Sequence, residues 1–487
     1  MSGEQAAAAG VGFRSERGPV LIGIMLSTGL VAIDATVIAT AVPSVVSELG
    51  GFSEFPWLFS VYLLAQAVTV PVYGKLADVF GRKPVMLVGI GLFLVGSILC
   101  GAAWSMGALI AFRAVQGLGA GAVQPMSMTI VGDLYSVEER AKVQGYIASV
   151  WALSSVVGPT LGGVFSEYVS WRWIFFVNIP LCLIAAATIG LRFHERVERR
   201  RPRIDYAGAA VLTVALTLLI LGLLEGGQAW AWGSPQSIVV LLGGVLLLAG
   251  FVVIERRAAD PVVPLRLLRN RLLLATYLVA ACVGAVLLGL TSYVPTFVQD
   301  VLGTGPLVAG FALAALTLGW PLSASQSGRV YLRIGFRATA LIGSAVVVLG
   351  SGLLLLLDGS TSVLQVGATS FVIGLGMGFT AAPTLIAAQA AVQWQQRGVV
   401  TGTTMFFRSA GSAVGVAVFG ALVNATLGRS DVRDGPVAPQ ALTSAVHHVF
   451  LATTVLAVVM LAAVLLMPRD SGRLRTPAQE SAEIAAG

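Results

Sequence analysis

Two charged residues, Asp34 and Arg113, stand inside long apolar runs. Asp34 is the only acid deep in any such run. An ionised aspartate at the centre of a membrane helix costs roughly 2.5–3.5 kcal/mol on insertion scales. Taking up a proton removes that cost, so a lone embedded carboxylate is a candidate proton carrier. The plainer reading is a structural polar residue paired within a helix bundle. At about 1.5 Å per residue, Asp34 and Arg113 lie roughly 13 Å and 11 Å below the same membrane face. Equal depth allows an ion pair, direct or through water, that protonation of Asp34 would release; a fixed structural pair fits the same depths. A third embedded charge, Arg408, lies roughly 14 Å inside its run. It can contact an anionic group, pair with a carboxylate or extend to the surface. Gln66, Gln116, Gln124, Asn178 and Gln389 are candidate lining residues of a substrate cavity. Trp57, Trp151, Trp320 and Trp394 read either as lining or as interfacial anchors.

A second cluster is Gly74-Lys-Leu-Ala-Asp78-Val-Phe-Gly81-Arg82-Lys83, which separates two charge-free runs, 57–73 and 84–103. The expectation is a tight loop between two membrane helices. Its glycines would let the chain reverse, and its basic residues would fix which side it faces. Asp78 has Arg82 and Arg140 as candidate partners and can also accept hydrogen bonds at a helix N-terminus. Its functional reading is a latch holding one end of the bundle shut; the alternative is a solvated loop charge.

The elements that must position these residues are membrane helices. The chain has 487 residues, 56% hydrophobic and 11% charged, with mean hydropathy +0.88, where a soluble protein carries roughly 25% charge. Spans of about 20 residues are predicted at 19–43, 57–74, 84–103, 106–133, 140–166, 172–191, 205–224, 236–254, 272–298, 306–327, 338–357, 362–390, 399–427 and 447–467. Of the 30 Lys and Arg, 25 fall in alternate loops. That bias predicts an even number of spans with both termini in the cytoplasm, and it accounts for the net charge of +7 without a nucleic-acid partner. Cys100, Cys182 and Cys282 are scattered through apolar runs with no metal-ligand spacing, and His194, His447 and His448 form no cluster. Nothing implies a metal or cofactor. No G-x-x-x-x-G-K-[ST] phosphate loop and no Ser-His-Asp set is evident, so an enzyme is not expected. Arginine outnumbers lysine 27 to 3, as in GC-rich bacterial genomes.

The chain uses one unit twice. Gly328 to Arg337 repeats the two glycines and basic ends of 74–83; Gly117-Leu-Gly-Ala-Gly121 returns as Gly374-Leu-Gly-Met-Gly378; Arg140, Gly145 and Gly158 return as Arg397, Gly402 and Gly415. Matches at nearly one offset mark an internal repeat. The predicted organisation is a cytoplasmic segment 1–18, a six-helix half 19–191, a linker 192–271 with two inserted helices, a second six-helix half 272–467 and a tail 468–487. Residues 192–203 read as a solvated basic linker, 261–271 as a short amphipathic helix on the membrane surface, and the tail as disordered. Two parallel halves place a substrate path between them.

The motifs that fill this frame resemble those of the major facilitator superfamily. Residues 74–83 look like its signature between spans two and three, with Val79 in place of an arginine. Leu109 to Gly117, around Arg113, resembles the fourth-span motif. Gly158-Pro159-Thr-Leu-Gly162-Gly163 resembles the fifth-span antiporter motif of exporters, with Ser154 in place of a frequent glycine. Ile33 to Pro43 and Trp171 to Pro180 are similar to hallmarks of fourteen-span drug:proton antiporters. The resemblance runs from about 18 to 468. It implies an all-α polytopic membrane protein with fourteen helices as six, two and six. The implied activity is alternating access that exports small lipophilic or cationic compounds against protons. The proton gradient drives it without a cofactor, from a monomer in a bacterial plasma membrane. Asp34 and Arg113 would couple protons; Gly74, Asp78, Gly81, Arg82, Lys83 and Arg140 would form a cytoplasmic gate; span-five small residues would seal the halves. A lipid or secreted-metabolite exporter, and more remotely a non-transporting sensor, would fit the same scaffold. Since Asp34 is the sole deep acid, the sequence favours monovalent cationic or neutral lipophilic substrates.

Overall fold

A computed structural model describes residues 11–50, 57–195, 205–226, 230–258, 261, 265–431 and 439–469. The tail 470–487, most of the expected basic linker (196–203) and part of the expected surface helix (262–264) lie outside the described residues. What is described is helical apart from short connections and one isolated β-bridge. In a bilayer core the backbone has no water to bond, so apolar chain must satisfy its own amides and carbonyls. The helices are α1 Gly18–Leu49, α2 Trp57–Phe80, α3 Arg82–Gly101, α4 Met106–Leu134, α5 Val137–Tyr168, α6 Trp173–Phe176, α7 Asn178–Arg192, α8 Tyr206–Glu225, α9 Pro235–Arg257, α10 Arg271–Thr296, α11 Pro306–Ile334, α12 Phe336–Leu354, α13 Val363–Ala390, α14 Arg397–Asp431 and α15 Pro439–Leu465. α6 and α7 form one membrane-length column, Trp173–Arg192.

Eleven of these columns are long and apolar enough to cross a membrane, among the described residues. α5, α8 and α14 are not among the eleven: α8 offers a shorter apolar stretch, Ala207–Leu223. α5 and α14 are rich in Gly, Ser and Thr, and both lie where helices pack on helices. α5 is packed on α1 and α11, and α14 on α10 and α2. Lipid-facing apolarity is not required of a helix covered that way.

The packing is duplicated. α1 lies on α5 and α7, α2 on α4, and α3 on α4 and α7; α10 lies on α14 and α15, α11 on α13, and α12 on α13 and α15. The repeated glycine motif shows why. A Cβ at Gly117 would sit 2.5 Å from Tyr62 O of α2, and one at Gly119 would sit 2.3 Å from Phe93 N of α3. In the second copy, Gly374 meets Leu316 O of α11 at 2.3 Å, and Gly376 meets Gly343 O of α12 at 2.6 Å. Absent side chains let α4 and α13 each touch two neighbours backbone to backbone. The inserted α8 and α9 pack on each other, and α8 also lies on α2 and α14. There Leu212, Leu216 and Ile220 join Leu64, Val68 and Ala413 in one buried cluster.

Three expectations change. Residues 74–83 are not a ten-residue loop: α2 continues to Phe80, and the reversal is confined to Gly81 at φ 97°. Gly335 does the same in the second copy at φ 86°. One residue in that region turns the chain, so the flanking residues keep their helical hydrogen bonds. Gly74 serves instead as a contact point, where a Cβ would meet Gly398 O at 2.7 Å. In the expected surface helix, Leu265–Arg269 is a short 3-10 turn with Leu267 buried and Arg266 and Arg269 exposed. Asn270 then caps α10 by accepting from the amides of Leu272 and Leu273. In the fifth-span motif, Gly158 is a close contact, its Cβ position 2.0 Å from Thr36 Oγ1 of α1, and Gly162 is buried, but Gly163 has open space around it. Pro159 lies in α5, and its side chain falls outside the described residues.

Overpacking a close crossing typically costs about 1–3 kcal/mol. Gly119→Leu and Gly376→Leu should therefore each lower the unfolding temperature of detergent-purified protein, whereas Gly163→Ala should leave it unchanged. A silent Gly119→Leu would remove the argument that these glycines set the helix spacing.

Candidate functional site

Contacts at the helix ends define two ends of the bundle. At one, Glu48 at the close of α1 accepts from Arg172 Nη1 at 2.5 Å and Trp171 Nε1 at 2.7 Å. At the other, here the basic end, lie Arg17, Gly81, Ser136, Arg397 and the close of α15, the last marked by Arg337 donating to Leu465 O at 3.0 Å.

A buried network lies between the ends. Arg113 Nη1 on α4 is 2.6 Å from Asp34 Oδ2 on α1. Gln116, one turn on, accepts from the same Nη1 at 2.7 Å and donates from Nε2 to Asp34 Oδ1 at 2.8 Å. Its Nε2 also donates to Ser97 Oγ at 2.9 Å, and Asn178 Nδ2 lies 3.4 Å from that hydroxyl. Arg113 Nε donates to Leu58 O at 3.1 Å, and its guanidinium lies over the Tyr62 ring at 4.1 Å. Both carboxylate oxygens and both ends of the Gln116 amide are thus used. Asp34 and Arg113 are each 1% exposed. Removing one partner of such a pair typically costs about 3–5 kcal/mol, because it strands the other charge. A proton on Asp34 would strand Arg113 in the same way. Gln116 and Asn178, candidate lining residues from the sequence, are both fully buried here, Gln116 because its amide serves the pair and Asn178 beside Ser97.

The second cluster closes the basic end. Asp78 Oδ1 accepts from Gly398 N at 2.9 Å, and Oδ2 from Val399 N at 2.8 Å. Asp78 therefore caps the N-terminus of α14, where amides lack intrahelical partners and the dipole favours an anion. Arg82, fully buried, pairs with Asp78 at 3.0 Å and with Asp133 at 2.9 Å, and it donates to Trp394 O at 2.6 Å with its guanidinium 3.7 Å from that ring's centre. Arg397 reaches Asp133 at 3.1 Å and Gly132 O at 3.1 Å. The amides of Arg82 and Lys83 donate to Glu195 at 3.0 and 3.1 Å, which caps α3. Gln389, another candidate lining residue, is buried here and donates to Met128 O at 3.3 Å and Thr401 Oγ1 at 2.9 Å. Beside the cluster, burial works against the Glu139 carboxylate, but Arg17 and the Ser136 amide outweigh it and hold it below the usual range.

Arg140 does not use Asp78. It donates to Tyr135 O at 3.0 Å and to Gly132 O, satisfying carbonyls left open at the close of α4. Its repeat partner Arg397 likewise donates to Gln389 O at 3.3 Å, near the close of α13. Of the remaining candidates, Gln66 donates to Gln124 at 3.3 Å, both half-buried, and Arg408 is half-buried on α14. Asp133 and Glu195 escaped the sequence reading, since charged residues at span edges are common and only the fold gathers them; Trp394, read as lining or anchor, stacks on Arg82 here. Arg397 had a signal, its repeat relation to Arg140.

Residues 24–416 match the model of the Major Facilitator Superfamily. Among relatives, the chain is 35% identical over 403 residues to Multidrug resistance protein 3 of Bacillus subtilis, covering 82% of this chain and 78% of that one. It is 34% identical over 419 residues to the Multidrug transporter protein MdtP of the same organism, covering 86% and 77%. In fold it is similar to the human organic anion transporter MFSD10, at 18% identity and a TM-score of 0.63, covering 91% of this chain and 99% of that one. The chain belongs to the Major Facilitator Superfamily of membrane transporters.

Proposed function

We propose that the chain is a proton-coupled exporter of small lipophilic compounds, working as a monomer by alternating access. In this reading it has fourteen spans as six, two and six, with halves 19–191 and 272–467 and both termini cytoplasmic. The basic end is then the cytoplasmic end. The observation that carries the coupling is the Asp34–Arg113–Gln116 network, a titratable carboxylate held by a guanidinium inside the membrane. Two multidrug-type relatives support the export reading by their names.

The cycle follows from the contacts. The basic end is shut by bonds that cross between the halves: Asp78 to the start of α14, Arg82 to Trp394, Arg397 to Asp133 and Gln389 to Met128 O. From the opposite, external side a proton reaches Asp34 and neutralises it. Arg113 then lacks its counter-ion, and the α1–α4 contact must rearrange. That rearrangement favours opening the basic end, where the proton leaves and substrate loads. Each proton moving inward supplies about 2.3 kcal/mol per 100 mV. No cofactor enters this scheme.

The test is substrate-driven proton movement in liposomes. Asp34→Asn, checked for folding by its elution profile and melting curve, should bind substrate but drop proton exchange to background. Wild-type exchange by this variant would show that Asp34 is not the carrier.

The latch gives a second expectation. α5, the counterpart of α14, has its own capping box from Ser136 and Glu139, and Leu332 stands where the repeat would place an acid. Asp78→Asn removes a charge-assisted cap worth about 1.5–3 kcal/mol per hydrogen bond, so it should open the basic end and slow turnover. Leu332→Asn should do neither. Cysteine accessibility at Leu385 and Met405, which are buried against the first half, measures the opening, and equal effects of the two substitutions would end the case for a one-sided latch.

A further inference from the structure

Among the described residues, the embedded charges of α1 to α4 have partners, whereas one on α14 does not. Asp34 has Arg113; Arg82 has Asp78 and Asp133; Arg397 has Asp133. Arg408 has no hydrogen bond or ion pair among the described residues. It lies eleven residues into α14, roughly 16 Å from the basic end, and it is half-buried.

The neighbours of α14 give its direction. Positions 401, 405 and 408 share one helix face, and beyond them Ser412 lies against Gly284 of α10. On that face, Thr401 accepts from Gln389 of α13, and Met405 packs in the core of α1 to α7. Ala413 turns away from it, toward α8 and α2. The Arg408 face therefore looks between the two halves, two to three turns beyond the latch at Gly398 and Val399. A guanidinium without a counter-ion is tolerable there only if it keeps polar company. Its partial exposure leaves room there for a polar group.

The acid expected to attract cations is not on offer. Both Asp34 oxygens are committed, and the residue is 1% exposed. Arg408, uncommitted among the described residues, is positive, which reverses the sequence-based preference for cations. We propose that Arg408 is the charge-recognition residue of the transport cavity and that it selects lipophilic compounds bearing an anionic group such as a carboxylate. The guanidinium fork suits that group through two parallel hydrogen bonds. This inference rests on the exporter reading above.

A matched series on one lipophilic coumarin tests it: the carboxylate, its methyl ester and its aminomethyl analogue, read by fluorescence polarisation on the purified full-length protein. Wild type should bind the carboxylate about tenfold or more tightly than the ester, the worth of one charge-assisted hydrogen bond. Arg408→Gln should bring that ratio near one while keeping ester binding, and Arg408→Lys should retain part of it. An unchanged ratio in folded Arg408→Gln, a wild-type ratio near one, or tightest binding of the amine would each overturn the proposal. Proton-coupled uptake of the ester into wild-type vesicles tests the exporter reading separately. Its absence would sink that reading and leave the binding ratio to judge Arg408.

Discussion

The start of α14 is held by a carboxylate that belongs to another part of the chain. Asp78 and Val399 are far apart in sequence, yet each oxygen of Asp78 takes one of the first amides of α14. An N-terminus inside a bundle has no water to bond, so those amides must find an acceptor. No side chain of the preceding turn, Trp394–Gln396, supplies one among the contacts described. The closed basic end is therefore the condition under which α14 is fully hydrogen-bonded. Opening it exposes both the carboxylate and the amides, and water must replace what each gave the other. The close approach of Gly74 and Gly398, bare backbone on both sides, makes this geometry reachable.

The duplication of the chain is real in packing but unequal in chemistry. The glycines of α4 and α13 repeat their contacts neighbour for neighbour, and Arg140 and Arg397 each satisfy a carbonyl eight residues back. At the seams the copies part. α14 is capped from α2, whereas α5 is capped by its own Ser136 and Glu139, and α11 contributes a hydroxyl, from Tyr331 to Val137 O. The inserted α8 adds to the inequality, because it lies over the α2–α14 seam. One seam is thus covered and dependent on its partner; the other is capped from within its own half, by Ser136 and by Glu139 paired with Arg17.

Much of this was legible in the sequence because a bilayer narrows the choices. Apolar runs and arginine-bearing loops define the helices, and the equal depth of Asp34 and Arg113 follows from counting. Leu332 opposite Asp78 announces the asymmetry before any coordinates. Illegible were the features set by helix rotation. α4 is apolar almost all round, so nothing in it tells whether Gln116 faces a cavity or the Asp34 pair. Asp78 had two basic residues in reach, and the sequence could not say that Arg140 would be spent on the carbonyls of α4. Nor could it say that Glu195 folds back to cap α3, since neither residue type nor spacing marks a cap formed over 112 or 113 positions.

On the proposed exporter reading, the placement of charge constrains how coupling can work. Where a proton and a substrate compete for one carboxylate, exchange follows from occupancy alone. Here Asp34 is sealed in α1 by Arg113 and Gln116, while Arg408 stands on α14 and faces the space between halves. The two groups share no contact, so a change at one must reach the other through helix packing. α5 touches both sides of that gap. Two residues from Asp34, Thr36 donates to Ser154 O at 3.0 Å, and the Cβ position of Gly158 falls on the same threonine. Toward its start, α5 meets α11 where Gly145 lies against Ser325. A shift of α1 on losing its ion pair therefore bears on α5 first, and through it on the seam that closes the basic end. The small residues of α5 then matter less as a seal than as the close-fitting surface that lets one helix feel another move.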